Sequence, residues 1–254
     1  MSDIKKIQQF QLSILKEVIS VIEKYGLNYI AVGGTALGAF RHNAFIPWDD
    51  DIDIAMPRKD YDTFLTLQNE LPDNLFIQNY NTDKHYPLYF SKVRLDNTKF
   101  VERRFKNQDM HQGIFIDIFP LDQINLNDKI SEKVNKQENK FRRLVKNSPK
   151  KWLYWMAYGF INPTQAFAQL ESLIKRNTSA NTNKFVSIQA NDSFDFENLY
   201  PIQTLPFEDI QICVPNNIEH YLENKYGDYM RIPEEHERRL HDVIELKFNV
   251  DKPT

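Results

Sequence analysis

Ala31-Val-Gly-Gly-Thr35, followed after a short interval by Trp48-Asp-Asp-Asp-Ile-Asp-Ile-Ala-Met56, is the stretch whose reading decides the fold. It joins a glycine turn to carboxylates set two residues apart on an extended segment. From Asp51 the side chains alternate, so Asp51, Asp53 and Ala55 share one face and Ile52, Ile54 and Met56 the other. The pattern predicts a strand with one buried face and one acidic face. On such a strand Asp51 and Asp53 lie roughly 6–7 Å apart. That spacing suits one or two divalent cations that bridge to phosphate oxygens.

Glycine is scarce, with only 7 in the chain, yet Gly33, Gly34 and Gly38 cluster here. Tyr29 to Val32 reads as a short buried strand, and Thr35 as the N-cap of a helix through Ala36, Leu37, Ala39 and Phe40. A strand, a Gly-Gly turn and a helix N-terminus present backbone N–H groups to an anion such as phosphate. Each half also has a plainer reading, a common turn and a solvated acidic loop. Their conjunction favours a site, because like charges aligned on an apolar strand are unfavourable unless a cation or strong donors compensate.

Asp117 is the one charge in the apolar run Ile114-Phe-Ile-Asp-Ile-Phe119. A buried carboxylate without a partner is costly, so it calls for a cation or donors; the alternative is an aspartate capping a turn before Pro120. Asp122 reads as structural, since Pro120 and Leu121 signal a turn.

At 254 residues, 41% hydrophobic and 26% charged, the chain reads as globular and soluble, with one sizeable core or two small lobes. A net charge of −3 gives no drive toward nucleic acid and favours a small substrate. Cys213 is the single cysteine, which excludes an intrachain disulfide and a multi-thiolate metal site and fits a reducing cytoplasm. The N-terminus runs into an amphipathic helix from Ile4 to Tyr25, closed by Gly26, rather than into a signal-peptide apolar region. This helix is expected to pack on the central sheet.

Further along, Arg58 to Leu67 reads as a helix, Leu75 to Tyr80 as a strand, and Tyr89 to Arg94 as a strand with Phe90, Lys92 and Arg94 on one face. Such a face aims two cations at a substrate phosphate, or else forms a solvated basic edge. Asn125 to Lys150 is polar with weak helical periodicity and predicts a helical insertion. The aromatic stretch from Lys150 to Ile161 is too short to span a bilayer. With Arg142, Arg143, Lys146, Lys150 and Lys151 nearby, it lies at a membrane surface, grips a glycan, or packs on the lobe core. Ile210 to Val214 reads as a strand and Asn216 to Tyr226 as a helix closed by Gly227. His42, His236 and His241 could each assist, but no pair has metal-ligand spacing on a helix, and each reads as structural or solvent-facing. Glu234 to Arg239 reads as a solvated helical face. Arg41 and Arg238 are candidate phosphate ligands.

Gly33-Gly-Thr35, Leu37-Gly-Ala-Phe-Arg-His42 and Phe45-Ile-Pro-Trp-Asp-Asp-Asp-Ile-Asp-Ile-Ala-Met-Pro-Arg58 together closely resemble the LicD family of phosphotransferases in the nucleotidyltransferase superfamily. Ile114 to Asp122, Pro215-Asn216 and Tyr226-Gly-Asp-Tyr-Met230 extend the resemblance from about Tyr29 to Pro233. The resemblance implies an α/β (α+β) nucleotidyltransferase-like fold with a small mixed central sheet, flanking helices and a helical insertion. The expected organisation is a catalytic core over 1–123, a helical lobe over 124–180 and a C-terminal part over 181–254 that packs back on the core. It also implies that Asp51, Asp53 and Asp117 hold Mg²⁺ or Mn²⁺, with Asp117 as third carboxylate. Gly33, Gly34, Thr35, Arg41 and Lys92 are then the substrate-binding set, a basic residue being expected at Lys92. The implied reaction moves a phospho-alcohol, phosphocholine first, from a CDP-alcohol donor such as CDP-choline. The acceptor is a sugar hydroxyl of a cell-surface glycan, such as teichoic acid or lipopolysaccharide, or its lipid-linked precursor. The location implied is the cytoplasm, either free or associated with the inner membrane face. Two other outcomes stay open: transfer of a nucleoside monophosphate, and a non-catalytic nucleotide- or glycan-binding module.

Overall fold

Apolar residues at three- and four-residue spacing make α1 (Asp3–Lys24) an amphipathic helix, with Ile7, Ile14, Leu15, Val18, Val21 and Ile22 buried. Gly26, at φ +61°, ends it. The computed structural model describes residues 3–124, 127–148, 150–179, 181–238 and 240–249. Asn125, where the insertion was expected to begin, and Arg239 lie outside the described residues.

The chain continues through β1 (Ile30–Ala31), α2 (Gly33–His42), β2 (Asp53–Pro57), α3 (Arg58–Phe64), β3 (Leu75–Gln78), β4 (Ser91–Leu95), β5 (Lys99–Glu102) and β6 (Phe115–Gln123). Then come α4 (Asp128–Val145), α5 (Lys151–Ala157), α6 (Pro163–Asn177), β7 (Lys184–Ser187), β8 (Asp192–Asp195) and α7 (Phe196–Leu199). The hairpin of β9 (Gln203–Phe207) and β10 (Ile210–Val214), α8 (Ile218–Tyr226) and β11 (Val243–Lys247) complete it.

The central sheet has the order β1-β2-β6-β4-β3, with β7 and β8 continuing from the end of β6. Only the β2–β6 pair is parallel among the pairs of this sheet's described residues, so the sheet is mixed. This is the expected α/β (α+β) class. Helix α1 packs on β6 and β4, as expected. A second apolar cluster joins Val134, Phe141 and Leu144 of α4 to Phe167, Leu170 and Ile174 of α6 around Tyr80 and Tyr89. Asn127 caps α4, and a capping box of Asn162 and Gln165 with Pro163 starts α6. Among the described residues no helix is long and apolar enough to cross a membrane.

Several local expectations change. Strand β2 begins at Asp53, so Asp51 and Ile52 form its approach; Ala55 is as buried as Ile54 and Met56, because the sheet is covered on both faces. Pro120 lies inside β6 rather than in a turn. Pairing of β6 with β4 ends at Ile118 and pairing with β7 begins at Asp122, so the missing proline N–H falls where no strand lies alongside on that edge. Strand β4 is interior, not a solvated edge. Asp122 is structural as read, though through an ion pair: its carboxylate accepts from Arg58 Nε at 2.8 Å and Nη2 at 2.7 Å.

Candidate active site

The turn after β1 lies flush against the acidic segment. Gly33 adopts φ +58°, and a Cβ placed on it meets Asp53 Oδ2 at 2.8 Å; a Cβ on Gly34 meets Asp49 Oδ2 at 2.2 Å. A side chain at either position would push the facing carboxylate aside, and Gly33 also needs glycine for its left-handed backbone. The N-cap of α2 is Val32, not Thr35. Thr35 sits one turn inside, and its Oγ1 accepts the Asp53 N–H at 2.8 Å, fastening the helix start to β2. The Gly33 N–H donates to Tyr221 Oη at 2.8 Å. That leaves the N–H groups of Gly34 and Thr35, which helix geometry provides with no intrahelical carbonyl.

Strand pairing sets Asp53 beside Asp117 across β2 and β6, and Asp117 beside Lys92 across β6 and β4. Three charged side chains thus form one row over three adjacent strands. Lys92 is fully buried and donates to Asp117 Oδ1, with its ammonium 3.3 Å from the Phe115 ring centroid. Burial pulls the Lys92 pKa down while the Asp117 charge pushes it back. Arg94 is buried too, donating to Gln78 Oε1 and to the Gly113 carbonyl at 2.7 Å. These two cations of β4 are therefore engaged inside the sheet.

Asp49, Asp51 and Asp53 gather where α2 and β2 begin. Loss of solvent raises the pKa of all three above the ordinary carboxylate range, and mutual repulsion adds to it, from Asp51 on Asp49 and from Asp51, Asp117 and Asp49 on Asp53. For Asp51, His241 opposes the rise and Asp117 adds to it. An all-oxygen set of crowded carboxylates matches the donor preference of Mg²⁺ or Mn²⁺, whose charge would relieve the repulsion. Helix α1 braces the segment: Gln8 Nε2 donates to the Asp49 carbonyl at 2.9 Å and Gln11 Nε2 to the Asp50 carbonyl at 2.7 Å.

His241, one of three histidines that the sequence offers as assisting or structural, joins the cluster. Its Nδ1 lies 3.0 Å from Asp50 Oδ1, and its backbone N–H donates to Asp50 Oδ2 at 3.1 Å. Burial lowers its pKa, but the Asp50 hydrogen bond and the Asp51, Asp50 and Glu102 charges outweigh that and leave it raised. Asp50, Asp51 and His241 offer ligand atoms all within 4.8 Å of one another, a group that does not include Asp53 or Asp117. The placement depends on β11 pairing with β5, where Val243 faces Glu102. Nothing local to His241 signals that long-range pairing.

The remaining candidates lie elsewhere. Arg41 sits at the far end of α2 from the glycine turn, with Nη1 donating to the Tyr229 carbonyl at 2.7 Å and the Arg231 carbonyl at 3.2 Å. Arg238 lies over the Trp48 ring at 4.1 Å, Arg41 Nε donates to His42 Nε2, and His236 is exposed. Glu235–Glu237 is a 3-10 turn rather than a longer helical face. Tyr221 of α8 ties the glycine turn to the C-terminal part of the chain. It receives the Gly33 N–H and donates to Asp192 Oδ1 at 3.0 Å, and Lys225 Nζ reaches the same oxygen at 2.5 Å.

A glycine turn opening a helix, held against carboxylates on two adjacent strands of a mixed sheet, defines a nucleotidyltransferase-like α/β protein. The LicD/FKTN/FKRP nucleotidyltransferase-domain family matches residues 26–153, half of the chain, and the chain belongs to that family. It is 26% identical over 92% of its length, and 94% of the relative's, to the lipopolysaccharide cholinephosphotransferase LicD of Haemophilus influenzae. Over 43 residues it is 44% identical to the ribitol 5-phosphate transferase FKRP of Homo sapiens, a match covering 17% of the chain and 9% of that protein. It also shares 29% identity over 127 residues, 46% of each chain, with an uncharacterized protein, RP689, of Rickettsia prowazekii.

Proposed function

We propose that this protein transfers a phospho-alcohol group, phosphocholine first among the candidates, from a CDP-activated donor to a sugar hydroxyl of a cell-surface glycan or its lipid-linked precursor. The observation that carries the reading is the register pairing of Asp53 with Asp117 beside the Gly33 turn, in a chain of this family. The similar proteins with assigned activities are named for moving choline phosphate and ribitol phosphate. The reaction belongs in the cytoplasm on this reading.

In this reading Asp51 and Asp53 hold Mg²⁺ or Mn²⁺, and His241 steadies the cluster through Asp50. When bound, the cation offsets negative charge on the donor pyrophosphate and the departing CMP. The Gly34 and Thr35 N–H groups bind donor phosphate oxygens. Asp117 completes the carboxylate set or accepts the proton of the attacking hydroxyl. Lys92 acts through Asp117, donating to that carboxylate and holding it in place, with any phosphate contact secondary. Arg41, fastened at the other end of α2, has no part. A bond forms between the acceptor oxygen and the alcohol-side phosphorus as the bond from that phosphorus to the bridging oxygen breaks.

The test is a donor panel of CDP-choline, CDP-glycerol, CDP-ribitol and CTP with a glycan acceptor and Mn²⁺. Free CMP and a glycan heavier by the phospho-alcohol are expected. CMP attached to the acceptor, or pyrophosphate released from CTP, would make the protein a nucleotidyltransferase in reaction as well as fold. No turnover of any donor would favour a binding module.

A further inference from the structure

Helix α5 and the turn after it present an apolar face that the described residues leave uncovered. Trp152, Leu153, Trp155, Met156 and Phe160 are 59%, 41%, 45%, 47% and 62% exposed. The opposite side of the same helix is engaged, with Tyr154 and Tyr158 packed on the cluster between α4 and α6. Phe160, at φ +61°, projects from the turn and meets Trp155 edge-on with ring centroids 4.6 Å apart.

The surroundings of this face are basic. Residues 140–170 contain six Lys or Arg and no Asp or Glu, in a chain whose net charge is −3. Arg143 donates to Tyr158 Oη at 3.0 Å and lies over the Tyr154 ring, and Lys140 lies over the Tyr158 ring. Cations therefore border the same helix that exposes the indoles.

We propose that this α5 face docks on the surface of an anionic lipid bilayer. Clustered Trp, Phe, Leu and Met side chains enter the boundary between headgroups and acyl chains, while flanking Lys and Arg meet anionic headgroups. Leu153 and Met156 have no donor with which to recognise a sugar. A second copy of the chain would bring the same positive charge to the face, opposing self-association across a two-fold axis. The inference is independent of the transfer reaction, because its test measures partition and not turnover.

The experiment is co-sedimentation of the full chain with vesicles of phosphatidylcholine alone and with about one-third phosphatidylglycerol. Binding is expected to the anionic vesicles and to weaken as salt shortens the screening length. Two of the 3 tryptophans lie on the face, so intrinsic fluorescence should shift to the blue on binding. The Trp152→Ala/Phe160→Ala variant should partition at least about tenfold less while melting like the wild type, since both side chains face solvent. Lys146→Glu/Lys150→Glu should lose the preference for anionic vesicles. Absence of wild-type binding to either vesicle, or equal partition of wild type and the Trp152/Phe160 variant, would overturn the proposal. So would sedimentation velocity showing a dimer that the Trp152/Phe160 variant abolishes, which would assign the face to a second copy.

Discussion

Gly33 and Asp53 are in such close apposition that a Cβ on Gly33 would stand 2.8 Å from Asp53 Oδ2. The missing side chain thus sets the position of a carboxylate. Gly33→Ala forces the Asp53 side chain to turn away and places alanine at φ +58°, a left-handed conformation that costs about 1–2 kcal/mol. The variant should melt lower, by about 2–4 °C per kcal/mol for a chain of this size, and should lose stabilisation by Mn²⁺. An unchanged melt and an unchanged Mn²⁺ response would show that the apposition does not matter.

Asp51→Asn and Asp53→Asn should each abolish turnover yet leave the cation-free protein at least as stable, because each removes repulsion from a crowded, desolvated cluster. The pH dependence has a definite sign. Asp49, Asp51 and Asp53 have raised folded-state pKa values. Their contribution to stability is fully present below the unfolded carboxylate value, roughly 3.9, and is lost as pH rises through the raised folded values. Melting temperature without divalent cation should therefore fall from mildly acidic pH upward. Mn²⁺, or either Asn substitution, should flatten that fall. Near wild-type activity in either variant would remove these carboxylates from the site.

Lys92 and Asp117 are a buried pair, so removing one partner strands the other. Lys92→Met alone should cost about 3–5 kcal/mol in urea unfolding, and Lys92→Met/Asp117→Asn should recover much of that. Additive losses in the double variant would show that the pair is not coupled.

Arg58 grips Asp122 with two nitrogens, and its guanidinium also lies over the Tyr61 ring at 5.2 Å. A lysine there keeps the charge but loses the fork geometry. Arg58→Lys should lower the urea midpoint by the equivalent of about 1–2 kcal/mol with an unchanged slope. A wild-type midpoint would reduce the pair to an incidental contact.

Tyr221 links the glycine turn to Asp192, so Tyr221→Phe leaves the Gly33 N–H and one Asp192 oxygen with a lost partner. The expected cost is about 1–3 kcal/mol. Hydrogen exchange at Gly33 should quicken in the variant. Unchanged protection at that amide would show that Tyr221 does not hold the turn.

Much of the site was legible because its parts are local. The Gly33-Gly34 turn, the alternation from Asp51 to Met56 and the lone charge of Asp117 each declare themselves within a few residues, where backbone period and burial cost suffice. Thr35 was misplaced by one turn because a side-chain oxygen at a helix start has two uses: capping its own helix, or, as found, holding the Asp53 N–H. Pro120 was read as a turn because its tolerance inside β6 depends on where β4 stops and β7 starts, which no local pattern records.

The sequence by itself determined the elements, the family and the acidic character of the site, since strand period, glycine turns and buried charge act over short distances. Tertiary structure alone decided which groups meet. Parallel pairing of β2 with β6 aligned Asp53 with Asp117, and the neighbouring β4 set Lys92 against Asp117. Pairing of β11 with β5 carried His241 to Asp50 across 191 residues, and α8 delivered Tyr221 to Gly33 across 188. Such meetings are set by strand register and helix packing summed over the whole core, so no single segment of chain encodes them.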